Sequence, residues 1–255
     1  MLNVAITDLH PLAFLNAFRF HMGLPPTYNL ISSGIYGGVG NSQAYQGNTR
    51  LSRNICALIP EELNCRLWIT GLPPNCTVHE LLAHIRGIGP VYACHINEPT
   101  ITGSRIWPTS AASLTFFTAD AANYFLACDA VRPFTVDGYV TNIVRHRIRT
   151  ESIPVDGRSR VLRIIGNANI VQPDYLRRIF SDLWHIRFDT DYIRLVDNGS
   201  HGVNEIIWAF GSFRAQAHVI HMKINRYFAN HAQAVYIVDP CVQGNYGDKY
   251  TFIDD

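Results

Sequence analysis

The chain has 255 residues, of which 47% are hydrophobic and 16% charged, and its formal net charge is +1. That length holds one large or two small domains, and that hydrophobic content excludes a disordered chain. A charge so near zero excludes a broadly basic surface, so any polyanion-binding face is local.

The first 24 residues are apolar, but they lack a positively charged leading segment and carry Asp8 and Arg19, which argues against a signal peptide. No run approaches the roughly 20 apolar residues of a membrane span. A nuclear or cytoplasmic protein with no membrane partner is expected. Residues 11–22 predict a short helix packed on the folded part, ended by Leu24-Pro25-Pro26. Residues 32–54 are rich in Gly, Ser, Asn and Gln, too polar to offset chain entropy. Residues 1–63 are therefore expected to form a largely flexible N-terminal arm. Its glycines are followed by no Lys-Ser/Thr, and no strand precedes them, so they are not a phosphate loop.

From residue 64 the pattern becomes ordered. Residues 65–72 predict a strand. Thr77 and Glu80 have capping-box spacing ahead of a helix over 78–88. Strands follow at 91–96 and 111–117, with 98–108 as a loop between them. A helix at 119–127, a hairpin turn at 134–139 and a strand at 140–148 complete a βαββαβ order. After a linker at 151–157 the order recurs: strand 160–166, helix 173–184, strands 188–196 and 203–210, helix 213–224, strand 234–238. Pro173 suits the first turn of its helix. The expected fold is α+β: two tandem ferredoxin-like βαββαβ domains, 64–150 and 158–240, between the arm and a tail over 241–255.

Catalytic and metal-binding patterns are absent from the sequence. The six cysteines are scattered with no C-x-x-C pair and read as reduced thiols. His79-Glu80-Leu81-Leu82-Ala83-His84 has a gap of five where a zinc-protease helix needs four, so the two imidazoles diverge. Asp189-Thr190-Asp191 lacks the spacing of a calcium loop. No nucleophile elbow occurs. No cofactor, no metal and no enzymatic activity are expected.

The stretch Leu67-Trp68-Ile69-Thr70-Gly71-Leu72 resembles the first-strand hexamer of RNA recognition motifs. The resemblance covers 64–150 well and 158–240 more weakly, and the loop and polar arm are similar in style to fungal members. In that family unpaired bases stack on aromatic rings of the first and third strands. Trp68 keeps the first-strand ring. The third-strand octamer aligns with Thr109–Phe116, where Ala111 and Ser113 replace two rings and Phe116 reads as core. In the second repeat Arg163 takes the first-strand ring position and Glu205 a third-strand one, so a cross-strand salt bridge is expected. Arg145, Arg147 and Arg149 would share one face of a strand, and Arg158, Arg160 and Arg163 follow. The resemblance implies single-stranded RNA as partner, held by Trp68, Thr70 and Ser113 on the first sheet. Arg145, Arg147, Arg149, Arg160 and Arg163 would form a positive seam between the domains. The rival expectation is a protein-interaction module on the same scaffold, with a helix or the arm covering the sheet.

Overall fold

The computed structural model describes residues 56–102, 105–198 and 202–242. The expected short helix at 11–22, most of the arm and residues 243–255 of the tail lie outside the described residues. Two compact units result. In the smaller, residues 56–60 meet Arg147–Arg149: Ala57 N donates to Arg149 O (3.0 Å), and Arg149 Nη1 donates to Ile59 O (2.6 Å). These residues of the expected arm and last strand thus bond to one another instead. The larger unit holds both ferredoxin-like domains.

The first domain runs β1 (Arg66–Leu72), α1 (Val78–His84), β2 (Val91–Asn97), β3 (Thr100–Thr102), β4 (Arg105–Trp107), β5 (Ser110–Phe116), α2 (Ala119–Val131), β6 (Thr135–Val136), β7 (Tyr139–Val140) and β8 (Asn142–Arg145). Its main sheet is antiparallel in the order β2-β5-β1-β8. Leu67 and Ile69 alternate along β1 toward the helices, which bury them completely. Val78, Leu81 and Leu82 of α1 and Ala121, Ala122 and Phe125 of α2 close over them. Burying each large apolar side chain is worth about 1.5–3 kcal/mol. The capping box forms: Glu80 N donates to Thr77 Oγ1 (3.2 Å) and Thr77 N to Glu80 Oε2 (2.7 Å).

Three local expectations need correction. Residues 98–108 hold the small hairpin β3–β4 within the expected loop. Helix α1 stops at His84, well before residue 88. The expected strand 140–148 is divided. Tyr139 and Val140 pair with β6 across a turn in which Asp137 and Gly138 have φ of 48° and 83°, the left-handed pair such a hairpin requires. Only Asn142–Arg145 joins the main sheet.

The second domain runs β9 (Val161–Asn167), α3 (Pro173–Arg178) extended by a π turn over Ile179–Leu183, β10 (Thr190–Asn198), β11 (Val203–Phe210), a π turn over Phe213–Ala217 leading into α4 (His218–Tyr227), and β12 (Ala232–Tyr236). Its antiparallel order β10-β11-β9-β12 repeats that of the first sheet: second, third, first, last. Leu162, Ile164, Phe180, Trp208, Phe210, Ile220 and Ile224 form its core. The two hexamers keep glycine at one place for different reasons. Gly71 has φ +80°, whereas a Cβ on Gly166 would stand 2.2 Å from His231 O on the path into β12. Among the described residues no helix is long and apolar enough to cross a membrane.

Candidate nucleic-acid interface

The period of two along β1 sends Arg66, Trp68 and Thr70 to the face away from the helices. Trp68 stands opposite Ser113 of β5 and Val144 of β8, and Ser113 stands opposite His95 of β2. Thr70 is flanked by Ala111 and Asn142. His95, Asn142 and Val144 are exposed, while Trp68 and Thr70 are half-buried. The indole meets the His146 ring edge-on at 5.7 Å between centroids. Thr70 Oγ1 donates to Asn142 O (3.4 Å). Ser113 is buried, and its hydroxyl accepts from Arg66 Nε at 2.8 Å. Arg66 therefore reaches across to β5 and ties down Ser113. Sequence reasoning passed over Arg66, although it lies two residues from Trp68 and so shares its face. It also passed over Trp107, an indole 58% exposed at the end of β4.

The arginines are placed differently from the expected seam. Arg145 stands opposite Leu67, on the helix side, and donates to Asn64 O and Asn123 Oδ1. Arg147 and Arg149 lie beyond β8 in the smaller unit. Arg160 is fully buried. Its Nε and Nη2 donate to both oxygens of Asp239 (2.9 and 2.8 Å), and its Nη1 donates to Asp191 Oδ2 (2.8 Å) and Phe210 O (3.0 Å). Asp191 also meets two residues of the first domain, His79 Nδ1 at 3.0 Å and Arg86 Nη2 at 3.3 Å. Arg163 makes the bidentate pair with Glu205, both bonds 2.7 Å. Arg158 makes another with Asp156, both bonds 2.6 Å. A buried guanidinium must be paired, and its two carboxylates come from distant points of the chain. Of the expected phosphate track, Arg145, Arg149, Arg160 and Arg163 are thus engaged by acids or carbonyls.

This cluster has its own electrostatics. Burial alone would raise the Asp191 carboxyl, but the Arg160 charge, then the His79 and Arg86 contacts, hold it below the usual carboxylate range. The hydrogen bond to Asp191 raises His79 above an ordinary imidazole against the opposing effect of burial. Burial opposes the charge on Arg160, yet Asp239 and Asp191 raise its pKa well above the usual value.

The cluster also joins the domains. Val91 N donates to Asp239 Oδ2 (3.0 Å), and Gly89 N donates to Cys241 O (2.7 Å). Cys241, placed in the tail by sequence, is fully buried in the first domain's core. Helix α1 packs on β10, and the Arg86 guanidinium lies 5.7 Å from the Tyr192 ring centroid. Val161, Ile207 and Ala209, on the outer face of the second sheet, are buried with Tyr192 against them. That end of the second sheet is closed by protein. His79 is committed to Asp191 and His84 Nδ1 lies 2.7 Å from Glu80 O, so the two histidines of α1 serve separate contacts.

No family model matches the chain, and no curated protein matches it significantly. Similar solved structures include the two RNA recognition domains of Sex-lethal from Drosophila melanogaster: 16% identity, 68% of this chain, 100% of that one, TM-score 0.24. The three N-terminal RNA-binding domains of the yeast splicing factor Prp24 share 11% identity over 68% of this chain and 64% of that one, with a TM-score of 0.31. The first two such domains of the yeast poly(U)-binding protein Pub1 share 14% identity over 68% of this chain and 99% of that one, with a TM-score of 0.26.

Proposed function

We propose that the chain binds single-stranded RNA through the outer face of the first sheet. The observation that carries this reading is the place of Trp68. Its indole stands on the side away from the helices, between Ser113 and exposed Val144, with exposed Asn142 two residues along β8 and exposed His95 one strand beyond Ser113. Stacking of one base on such a ring is worth about 1–3 kcal/mol and tolerates any base. Arg66 supplies a cation two residues away for the adjoining phosphate. Thr70 and Asn142 offer polar groups to base edges. With one ring rather than three, sequence preference is weak. Arg145, Arg160 and Arg163 have no part in this interface, because the partners described above engage them.

The test is anisotropy of a labelled oligouridine with the full chain across salt. Affinity falls with salt, and Arg66→Gln lowers the logarithmic slope by about 0.7, the share of one phosphate on a single strand. Unchanged binding on Trp68→Ala, or a flat salt response, overturns the reading. The alternative, a protein partner on the first sheet, is favoured by one observation: the second sheet already receives Arg86 of the first domain over Tyr192, on its outer face. Capture of a peptide by that sheet in preference to oligouridine selects the alternative.

A further inference from the structure

The second domain has a cleft of about 700 Å³ where α3 and its π turn give way to the chain entering β10. This is within the size range of small-ligand sites, about 300–1,000 Å³. Arg177, Ser181, His185, Ile186, Arg187 and Phe188 line it. Two are guanidiniums, one is an imidazole, and none is acidic. Arg177 is braced, its guanidinium 5.7 Å from the Trp208 ring centroid. Phe188 is fixed edge-on against Phe180 (5.9 Å), Trp208 (5.8 Å) and Phe210 (5.8 Å). Asp182 Oδ1 lies 2.7 Å from Ser181 Oγ, and Asp189 Oδ2 accepts from Gln216 Nε2 at 3.1 Å.

The backbone supports the same reading. His185 holds φ of 52°, a left-handed conformation that costs a non-glycine residue of order 1–3 kcal/mol and persists only where surroundings impose it. It directly follows a π turn closed by Trp184 N donating to Ile179 O (2.9 Å). Such turns are frequent at functional sites. Next to it, Ile186 N donates to Phe180 O (2.9 Å), which sets Arg187 and Phe188 at the mouth.

We propose that this cleft takes one nucleotide of a single-stranded RNA, its phosphate on Arg187 and its base against Phe188. Guanidiniums beside an aromatic wall suit a phosphate joined to a planar base. An acidic peptide would use the charges and leave the ring unused. The inference rests on RNA as ligand but not on Trp68, so the two sites fail separately.

The experiment photo-crosslinks the full chain to an oligouridine carrying 4-thiouridine and maps the attached peptides by mass spectrometry. The expected result is attachment within residues 181–188 as well as near Trp68. Arg187→Gln, at an exposed position that leaves the core intact, lowers the yield at 181–188 about tenfold, the worth of one charge-assisted hydrogen bond. The yield near Trp68 then stays within about twofold, and Trp68→Ala gives the converse pattern. Attachment near Trp68 alone overturns the cleft and spares the sheet. Attachment at neither site overturns both for RNA. Competition by uridine monophosphate at 181–188 alone marks a free nucleotide as the source, and displacement by polyglutamate as readily as by polyuridylate overturns the proposal in favour of an acidic protein.

Discussion

The two sheets share strand order and helix placement, yet their outer faces are opposites. On the first, a half-buried tryptophan stands among small and polar neighbours. On the second, the corresponding position holds Arg163, tied to Glu205, and at the adjoining end the Arg86 guanidinium lies over the Tyr192 ring. Both cores are built from the same alternation of apolar residues, so the core says nothing about which face has work to do. The difference lies in a few outward positions, and above all in one buried arginine that turns the second sheet into a docking surface for the first domain.

The comparison breaks most severely at Arg160. Arg160→Met leaves Asp239 and part of Asp191 buried without counter-charge and costs about 3–5 kcal/mol in urea denaturation. Adding Asp239→Leu recovers part of that loss; an unchanged midpoint in the single variant would show the cluster to be dispensable. The lowered Asp191 carboxyl stabilises the folded chain above the unfolded value near 3.9, and that contribution disappears as pH falls through its folded value.

The next effect separates the sheets by function. Trp68→Ala weakens oligouridine binding about 10–100-fold; the ring is more buried than exposed and packs edge-on against His146, so the melting temperature falls as well. Arg163→Ala leaves RNA affinity within about twofold, since its guanidinium is already taken by Glu205. A smaller effect is expected from that pair on stability: Arg163 is 43% exposed at its side chain, and a double-mutant cycle should give a coupling of about 0.2–1 kcal/mol.

The smallest effect sharpens the comparison at the junction. Because Asp191 raises His79, the folded chain binds that proton more tightly than the unfolded chain. The resulting stability is complete below about pH 6.5 and fades as pH rises through the folded value. His218 and His221 act oppositely, because burial lowers both. The readout is therefore the wild type against His79→Gln: melting temperatures differ at pH 6 and converge at pH 8.

Much of this arrangement is legible in the chain itself. Leu67 and Ile69 flank Trp68, and that alternation alone turns the indole away from the helices. Arg163 and Glu205 fall on neighbouring strands once the two hexamer and octamer stretches are aligned. The buried cluster is not legible, because its partners lie 31 and 79 residues from Arg160 and no local rule links them. Arg145-His146-Arg147 has strand-like alternation, but the chain departs after Arg145, and the Leu67 register sends that arginine to the helix side. The hairpin β3–β4 was hidden because three-residue strands carry too little periodicity to stand out from a loop.

Cys241 has a consequence for synthesis on the ribosome. Domains generally fold in order as they emerge, at about 5–20 residues per second. Here the Cys241 thiol lies against Leu82 O, a residue 159 positions earlier, so the amino-terminal half leaves the exit tunnel with a gap in its interior. It waits until residue 241 has been made before that gap closes. A nascent chain stopped after residue 150 should accordingly be cut by protease far faster than the released protein.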